Sequence, residues 1–479
     1  MPQIIVKTVI SILLISLLGS FAGSIRNAGA APTFLPDIRG QHRPSADSPE
    51  DAGAFVPAPN LAHTSVEIRT DAGRYRLYRG GEPYFIKGVG GTQALASARV
   101  LGANSLRTWG AQNGAAVLEK ADALGMSVLL GIWLSHRASD YRDPAYMARK
   151  TAEVTALAAQ YRNHSALLMW ALGNEINLQG ADIPEAWHFV DTLARLIKRL
   201  DPGHPVISVI AFTPETLDRI ARFAPSLDAV GVNAYGALPK LRAAMEASAY
   251  SGPYLVTEWG VTGHWEAERT DWDRPIEPPS TAKASMIRRY YVQDILANSD
   301  RCIGSYVFLW GQKQERTPTW YSLLIENLPG FEGQHLFSPA VDVMSYNWSG
   351  TWPDNRAPEV SQLSINGFHA KDGVALGPET QIIAVVTARD PESAPLTYVW
   401  EILAEPTAVG FGGAPESRPP TVGRVRYSSA PELKLSVPDQ AGAYRLFVYA
   451  VDDKNHVGTA NIPFRVVDLQ AANPPVAAF

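Results

Sequence analysis

The sequence predicts an α/β chain: a (β/α)8 barrel followed by a small Ig-like β-sandwich. Three observations carry that prediction. Between Pro83 and Leu309, eight short apolar runs alternate with helical stretches. The runs are continuous rather than alternating, as expected for parallel strands buried on both faces. From Glu359 the pattern changes to short strands of alternating polarity separated by turn residues.

Val66 to Tyr78 alternates and leads into the turn Gly80-Gly81, which reads as a small hairpin before the first barrel strand. The eight runs are Tyr84 to Val89, Asn104 to Thr108, Ser127 to Ile132, Leu167 to Leu172, Val206 to Ile210, Ala229 to Val232, Tyr254 to Thr257 and Gly304 to Leu309. Helical segments such as Ala145 to Tyr161 and Pro184 to Leu200 stand between them. Eight such units in about 230 residues fit a (β/α)8 barrel. An open doubly wound sheet fits less well, since no Gly-rich phosphate fingerprint follows the first run. Asn355-Arg-Ala-Pro358 marks a boundary, so the barrel domain is placed at 63–357 and the sandwich at 358–468. The sandwich strands are read as Val360 to Ile365, Gln381 to Ala388, Leu396 to Ile402, Leu433 to Val437, Ala443 to Val451 and Ile462 to Val467.

The N-terminus reads as an export signal over residues 1–30. Lys7 precedes the apolar run Thr8 to Leu18, and Ala28-Gly-Ala30 offers a small-x-small cleavage site. The location is therefore expected to be periplasmic or extracellular. A membrane partner is expected only if the segment stays uncleaved. Residues 31–62 read as a flexible linker and 469–479 as a tail. The single cysteine, Cys302, excludes an intramolecular disulfide and reads as a buried small hydrophobe. A net charge of −5 gives no basic excess to attract nucleic acid.

Active residues of such a barrel sit where strands end. The fourth strand runs into Gly173-Asn-Glu175, and the seventh ends in Thr257-Glu-Trp-Gly260. Two carboxylates on strands across one barrel mouth are what glycosidic-bond cleavage needs, one to protonate the leaving oxygen and one to attack or to activate water. A lone glutamate at a strand end is more often a surface charge. It is the pair that raises the catalytic reading.

Leu172-Gly-Asn-Glu175 and Thr257-Glu-Trp-Gly260 resemble the acid/base and nucleophile motifs of glycoside hydrolase clan A, and the barrel resembles the family 2 catalytic domain. Tyr84-Phe-Ile-Lys-Gly-Val89 and Gly231-Val-Asn-Ala-Tyr235 are also similar to the family 72 β-1,3-glucanosyltransferases. The resemblance covers about residues 75 to 325. It implies Glu175 as acid/base, Glu258 as nucleophile, and Asn174 as partner of the sugar 2-hydroxyl. Arg107 would hold Glu258 ionised, Tyr235 would donate to Glu258, and Trp310 would form the floor beneath the reacting sugar. The clan is retaining, implying carboxyl groups about 5 to 5.5 Å apart. Trp109, Trp133, His136 and Trp259 are candidate cleft residues, with core or loop packing as the alternative. His136 has no second ligand at metal spacing, and no metal or cofactor is expected. Trp320, Trp348 and Trp352 either stack on distant sugars or seal the linker against the barrel.

The C-terminal segment resembles polycystic-kidney-disease or cadherin-like modules in Ala388-Arg-Asp-Pro-Glu392, Thr397-Tyr-Val-Trp400 and Tyr449-Ala-Val-Asp-Asp453. Trp400 reads as its core tryptophan. Asp390, Asp452 and Asp453 read as turn carboxylates, with calcium binding as the alternative. The expected function is retaining hydrolysis or transglycosylation of an oligo- or polysaccharide, a β-glucan in the first instance. The alternative, a non-catalytic glycan-binding barrel, would have no need of the acid/base.

Overall fold

The computed structural model describes residues 64–407, 410 and 416–467. The expected signal, linker and tail lie outside the described residues. The barrel strands are β1 (Ile86–Gly90), β2 (Ser105–Arg107), β3 (Ser127–Ile132), β4 (Leu167–Asn174), β5 (Val206–Ala211), β6 (Ala229–Asn233), β7 (Tyr254–Trp259) and β8 (Cys302–Val307). They pair in parallel in chain order, and β8 returns to β1, closing the (β/α)8 ring. The helices around it are α1 (Leu95–Val100), α2 (Gly114–Ala123), α3 (Pro144–Tyr161), α4 (Pro184–Leu200), α5 (Pro214–Phe223), α6 (Leu241–Ala247), α7 (Ser280–Tyr290) and α8 (Pro339–Ser349).

Why the runs are continuous is visible in where alternate residues go. In β3, Val128, Leu130 and Ile132 pack under the helices while Leu129 fills the barrel interior. In β5, Val206 and Ile210 face outward and Ile207 and Val209 inward. Both faces are apolar because both are buried. Gly88 serves close packing in that interior, since a Cβ there would sit 2.2 Å from the Tyr306 ring. The small antiparallel sheet of Val66–Asp71, Arg74–Arg79 and Glu82–Pro83 sets Val66 and Leu77 into the interior cluster.

The C-terminal strands form a sandwich of a three-stranded and a five-stranded sheet. Trp400 is buried in the core between them, beside Leu446, Ile462 and Phe464. The five-stranded sheet includes Thr421–Ser428, a strand that sequence periodicity missed because its few apolar residues do not alternate regularly and all its residues are half-buried or exposed at the sheet edge. The other face of this sheet is also buried. Val399, Leu403, Phe447 and Tyr449 pack with Ile325, Leu328 and Leu336, which belong to a hairpin between β8 and α8. The sandwich is thus docked on the barrel through an apolar cluster. Asp390 and Asp452 each accept two backbone N–H groups of their own turns. Cys302 is buried, and burial pushes its thiol up to about 12.

Candidate active site

Register shifts put the two carboxylate strands to use. Leu172 in β4 and Val256 in β7 face the helix layer. Strict alternation would send Asn174 and Glu258 the same way. The pairing of β4 with β5 slips between Leu172 and Asn174, and that of β7 with β6 slips between Val256 and Glu258. Each irregularity turns the following side chain into the barrel mouth, a known use of bulges at strand ends. The slip in β7 also sends Trp259 outward, where it stacks on Tyr291 with ring centroids 5.8 Å apart. Trp259 is therefore a core residue and not part of the cleft wall.

Glu175 follows with φ at +51°, in the left-handed region that non-glycine residues seldom occupy. Gly173 before it has φ +75°, and a Cβ there would meet Ile176 at 2.8 Å. Such a backbone costs about 1 kcal/mol or more and is common where a side chain must be aimed.

Both glutamates line one cavity of about 780 Å³ at the barrel mouth. Glu258, 6% exposed, is an acceptor for three donors. Arg107 Nη1 reaches its Oε1 at 2.9 Å, Trp109 Nε1 the same oxygen at 2.7 Å, and Tyr235 Oη reaches Oε2 at 2.8 Å. A carboxylate that accepts from every side suits the ionised form. The phenol remains a donor, because burial and then the Glu258 charge push its ionisation well above the usual range.

Glu175 lives differently. Burial, and then the charge of Glu258, raise its carboxyl to about 7, and only the Asn233 amide, 3.0 Å from Oε1, and Arg107 oppose this. Asn233 ends β6, and its Nδ2 also stands 3.2 Å from Asn174 Oδ1. Its own Oδ1 accepts from Thr257 Oγ1 at 2.8 Å. Arg107 Nη2 reaches Asn174 Oδ1 at 2.6 Å. A continuous chain of donors and acceptors therefore runs from Glu258 through Arg107, Asn174 and Asn233 to Glu175.

The structure brings Glu175, Glu258, Arg107, Asn174, Tyr235 and Trp109 together, and Trp133 lines the same cavity at 37% exposure. His136 supports the site from behind. Its Nε2 lies 2.7 Å from the Asn174 carbonyl, and its ring meets that of Trp133 edge-on. Trp310 needs correction. It is fully buried and packs on Trp348, away from the cavity. Strand β8 ends at Val307, two residues before the apolar run does, so the aromatic on the wall is Phe308. Trp320 and Trp348 are buried seals, while Trp352 is half exposed against Tyr346.

Sequence reasoning missed Asn233, which strand-end logic at β6 would have found. It also missed Trp265, Glu266, Lys313 and Glu315, which line the cavity from loops without periodicity. Lys313 Nζ stands 2.6 Å from Glu315 Oε2. His264 in the same wall is held neutral. Burial, then the cations around it, lower it to about 4. Among the described residues, no group of three or more His, Cys, Asp and Glu is placed to hold a metal ion.

Fold and site together define a TIM barrel with a paired-carboxylate cavity at its mouth. Residues 95–303 match the family model described as glycosyl hydrolases family 2, TIM barrel domain. No curated protein matches the chain. Among solved structures it is similar to a β-D-glucuronidase of Dictyoglomus thermophilum, at 18% identity over 60% of this chain and 54% of that one, TM-score 0.45. A β-galacturonidase of Eisenbergiella tayi gives 18% identity over 60% and 55%, TM-score 0.45. A Bacteroides uniformis β-glucuronidase gives 13% over 84% and 48%, TM-score 0.44. The chain spans about half the length of these proteins.

Proposed function

We propose that this chain is an exported, retaining glycoside hydrolase or transglycosylase acting on β-linked glycans, β-glucan in the first instance. One observation carries the reading. Two carboxyl groups share a cavity in opposite environments, Glu175 raised to about 7 and Glu258 held by three donors. A carboxyl that keeps its proton beside one that accepts from three donors divides acid and nucleophile roles.

Glu175 protonates the glycosidic oxygen while Glu258 attacks the anomeric carbon, so that bond breaks as the glycosyl–Glu258 ester forms. Glu175, now a carboxylate, takes the proton of the incoming water or sugar hydroxyl, and the ester is released. Asn174 has its Oδ1 occupied by Arg107 and Asn233, so Nδ2 is the group it offers the 2-hydroxyl. An uncharged sugar suits the walls. Lys313 faces Glu315, Arg107 faces Glu258, and Glu175 and Glu266 add further carboxyls. A uronate carboxylate would meet like charge there. The indoles of Trp133 and Trp265, 37% and 57% exposed, offer flat faces for further sugars, which favours glycan remodelling.

The test is the product-size distribution by mass spectrometry after incubation with β-glucan oligosaccharides, with β-glucuronides and β-galacturonides as a second panel and Glu258→Gln as control. Products longer than the input identify a transglycosylase; only shorter ones, a hydrolase. Turnover of the uronides alone overturns the β-glucan assignment. Binding without any product favours a glycan-binding barrel.

A further inference from the structure

The sandwich does more than dock. Two barrel loops line the cavity opposite the β4 end: one, after β7, carries His264, Trp265 and Glu266, and the other, after β8, carries Lys313 and Glu315. Both meet at Glu277, which is buried. Glu277 accepts from Thr317 Oγ1 at 2.6 Å and Thr319 Oγ1 at 2.8 Å, two residues of the second loop, and pairs with Lys283 of α7. Its remaining donor comes from the sandwich, where Asn461 Nδ2 reaches Oε2 at 2.6 Å. Asn461 is set in turn by Arg445 Nη1 at 2.7 Å. Arg445 is anchored by Glu405 and also donates to the Pro275 carbonyl of the first loop at 2.9 Å. A second tether is independent of these. Glu416, also of the sandwich, accepts the Arg316 N–H at 2.8 Å and the Gly410 N–H at 2.9 Å, and Gly410 itself stands on the cavity wall.

We propose that the C-terminal sandwich is a working wall of the glycan cavity: through Asn461 and Glu416 it positions the 311–322 loop so that the Lys313–Glu315 pair forms a hydroxyl-binding subsite beyond the reacting bond. The subsite rests on the function proposed above; the tether does not. Lys313 supplies N–H donors and Glu315 two acceptor oxygens, matched to the neutral hydroxyls of a glycan. Asn461 and Glu416 touch no substrate. They act as positioning residues, through Glu277 and through the Arg316 backbone.

Glu416→Ala and Asn461→Ala in the full chain test this, with Glu416→Gln, which keeps an acceptor, as the rescue. Hydrogen–deuterium exchange reads the tether. In Glu416→Ala, amides of 311–322 exchange about tenfold faster while those of β4 and β7 keep their rates. Steady-state kinetics on a β-glucan oligosaccharide read the subsite. KM rises roughly fivefold with kcat and the pH profile unchanged, and Glu416→Gln, whose single carbonyl oxygen takes the Arg316 N–H but not the Gly410 N–H as well, restores both readouts in part. If Asn461→Ala fails to fold, Glu416→Ala, at a half-buried position, decides alone. Wild-type exchange in folded Glu416→Ala overturns the tether, and faster exchange with unchanged KM overturns the subsite. A wild-type chain that turns over no glycan removes the proposed function with its subsite, and exchange still decides the tether.

Discussion

Tyr235 Oη lies 2.8 Å from Glu258 Oε2, on the side of the carboxylate away from Arg107 and Trp109, which share Oε1. The phenol is the one donor to Oε2, whereas Oε1 takes two. Tyr235→Phe removes one charge-assisted hydrogen bond and leaves the ring contacts with Trp265, Phe308 and Tyr321 in place. Such a bond is worth about 1.5–3 kcal/mol. The expected result is a loss in kcat of roughly 10- to 100-fold with Tm near the wild-type value, measured by steady-state kinetics beside a thermal melt.

Glu175 should set the alkaline limb of the pH–rate profile. It must hold a proton to act as an acid, and burial followed by the Glu258 charge keeps that proton until about pH 7. Activity therefore falls as pH rises through that value. Glu258→Gln removes the neighbouring charge, so the Glu175 carboxyl titrates lower in that variant, a shift that carbon-13 NMR of labelled glutamate reads directly. Asn233→Ala removes a donor to the ionised form, and the limb moves to higher pH. Glu175→Gln should cost roughly 10²- to 10⁴-fold in kcat/KM on substrates with poor leaving groups and far less on activated aryl glycosides, which need no proton.

Arg107 is fully buried and binds Glu258, Asn174 and the Thr257 carbonyl at once. Arg107→Met leaves Glu258 buried beside no cation. Breaking such a pair typically costs about 3–5 kcal/mol. Tm should fall by several degrees in a thermal melt, with activity lost even in the folded fraction.

Trp265 is the opposite case, at 57% exposure. Trp265→Ala should leave Tm within a degree or two and raise KM for oligosaccharides by roughly 3- to 10-fold, read by comparing a trisaccharide with an aryl monosaccharide that does not reach the indole.

The parts of this site legible in the sequence are those tied to strand periodicity. Glu175 and Glu258 stand out because each follows an apolar run at a barrel position where chemistry gathers. The roles of Arg107 and Tyr235 come from the family resemblance, at the ends of the second and sixth runs. Their aim was not legible. Alternation alone would turn Asn174 and Glu258 toward the helices, and only the register shifts at Leu172 and Val256 turn them inward. The same shift turned Trp259 out, and the early end of β8 moved the wall aromatic from Trp310 to Phe308. Lys313 and Glu315 sit on a loop with no period. Asn461 reaches Glu277 across 184 residues of sequence, a contact no local pattern encodes.

Asp342 gives a stability test at the junction of α8 and the sandwich. Its Oδ2 accepts the Ala357 N–H at 2.7 Å, while His456 Nε2 stands 4.0 Å from Oδ1 and supplies no cation there, because burial lowers its affinity for a proton. Burial raises the Asp342 carboxyl to about 7 from an ordinary value of 3.8. Between those two values the folded chain binds more protons than the unfolded one, so stability falls as pH rises across that window and stays lower above it. An asparagine side chain at this position cannot ionise, and its carbonyl still accepts from Ala357. Asp342→Asn should therefore match the wild type near pH 4 and exceed it at pH 8 by up to about 4 kcal/mol, a Tm higher by several degrees. Thermal melts of both chains across that range decide it; a Tm difference independent of pH would mean that Asp342 keeps its charge through a partner other than Ala357.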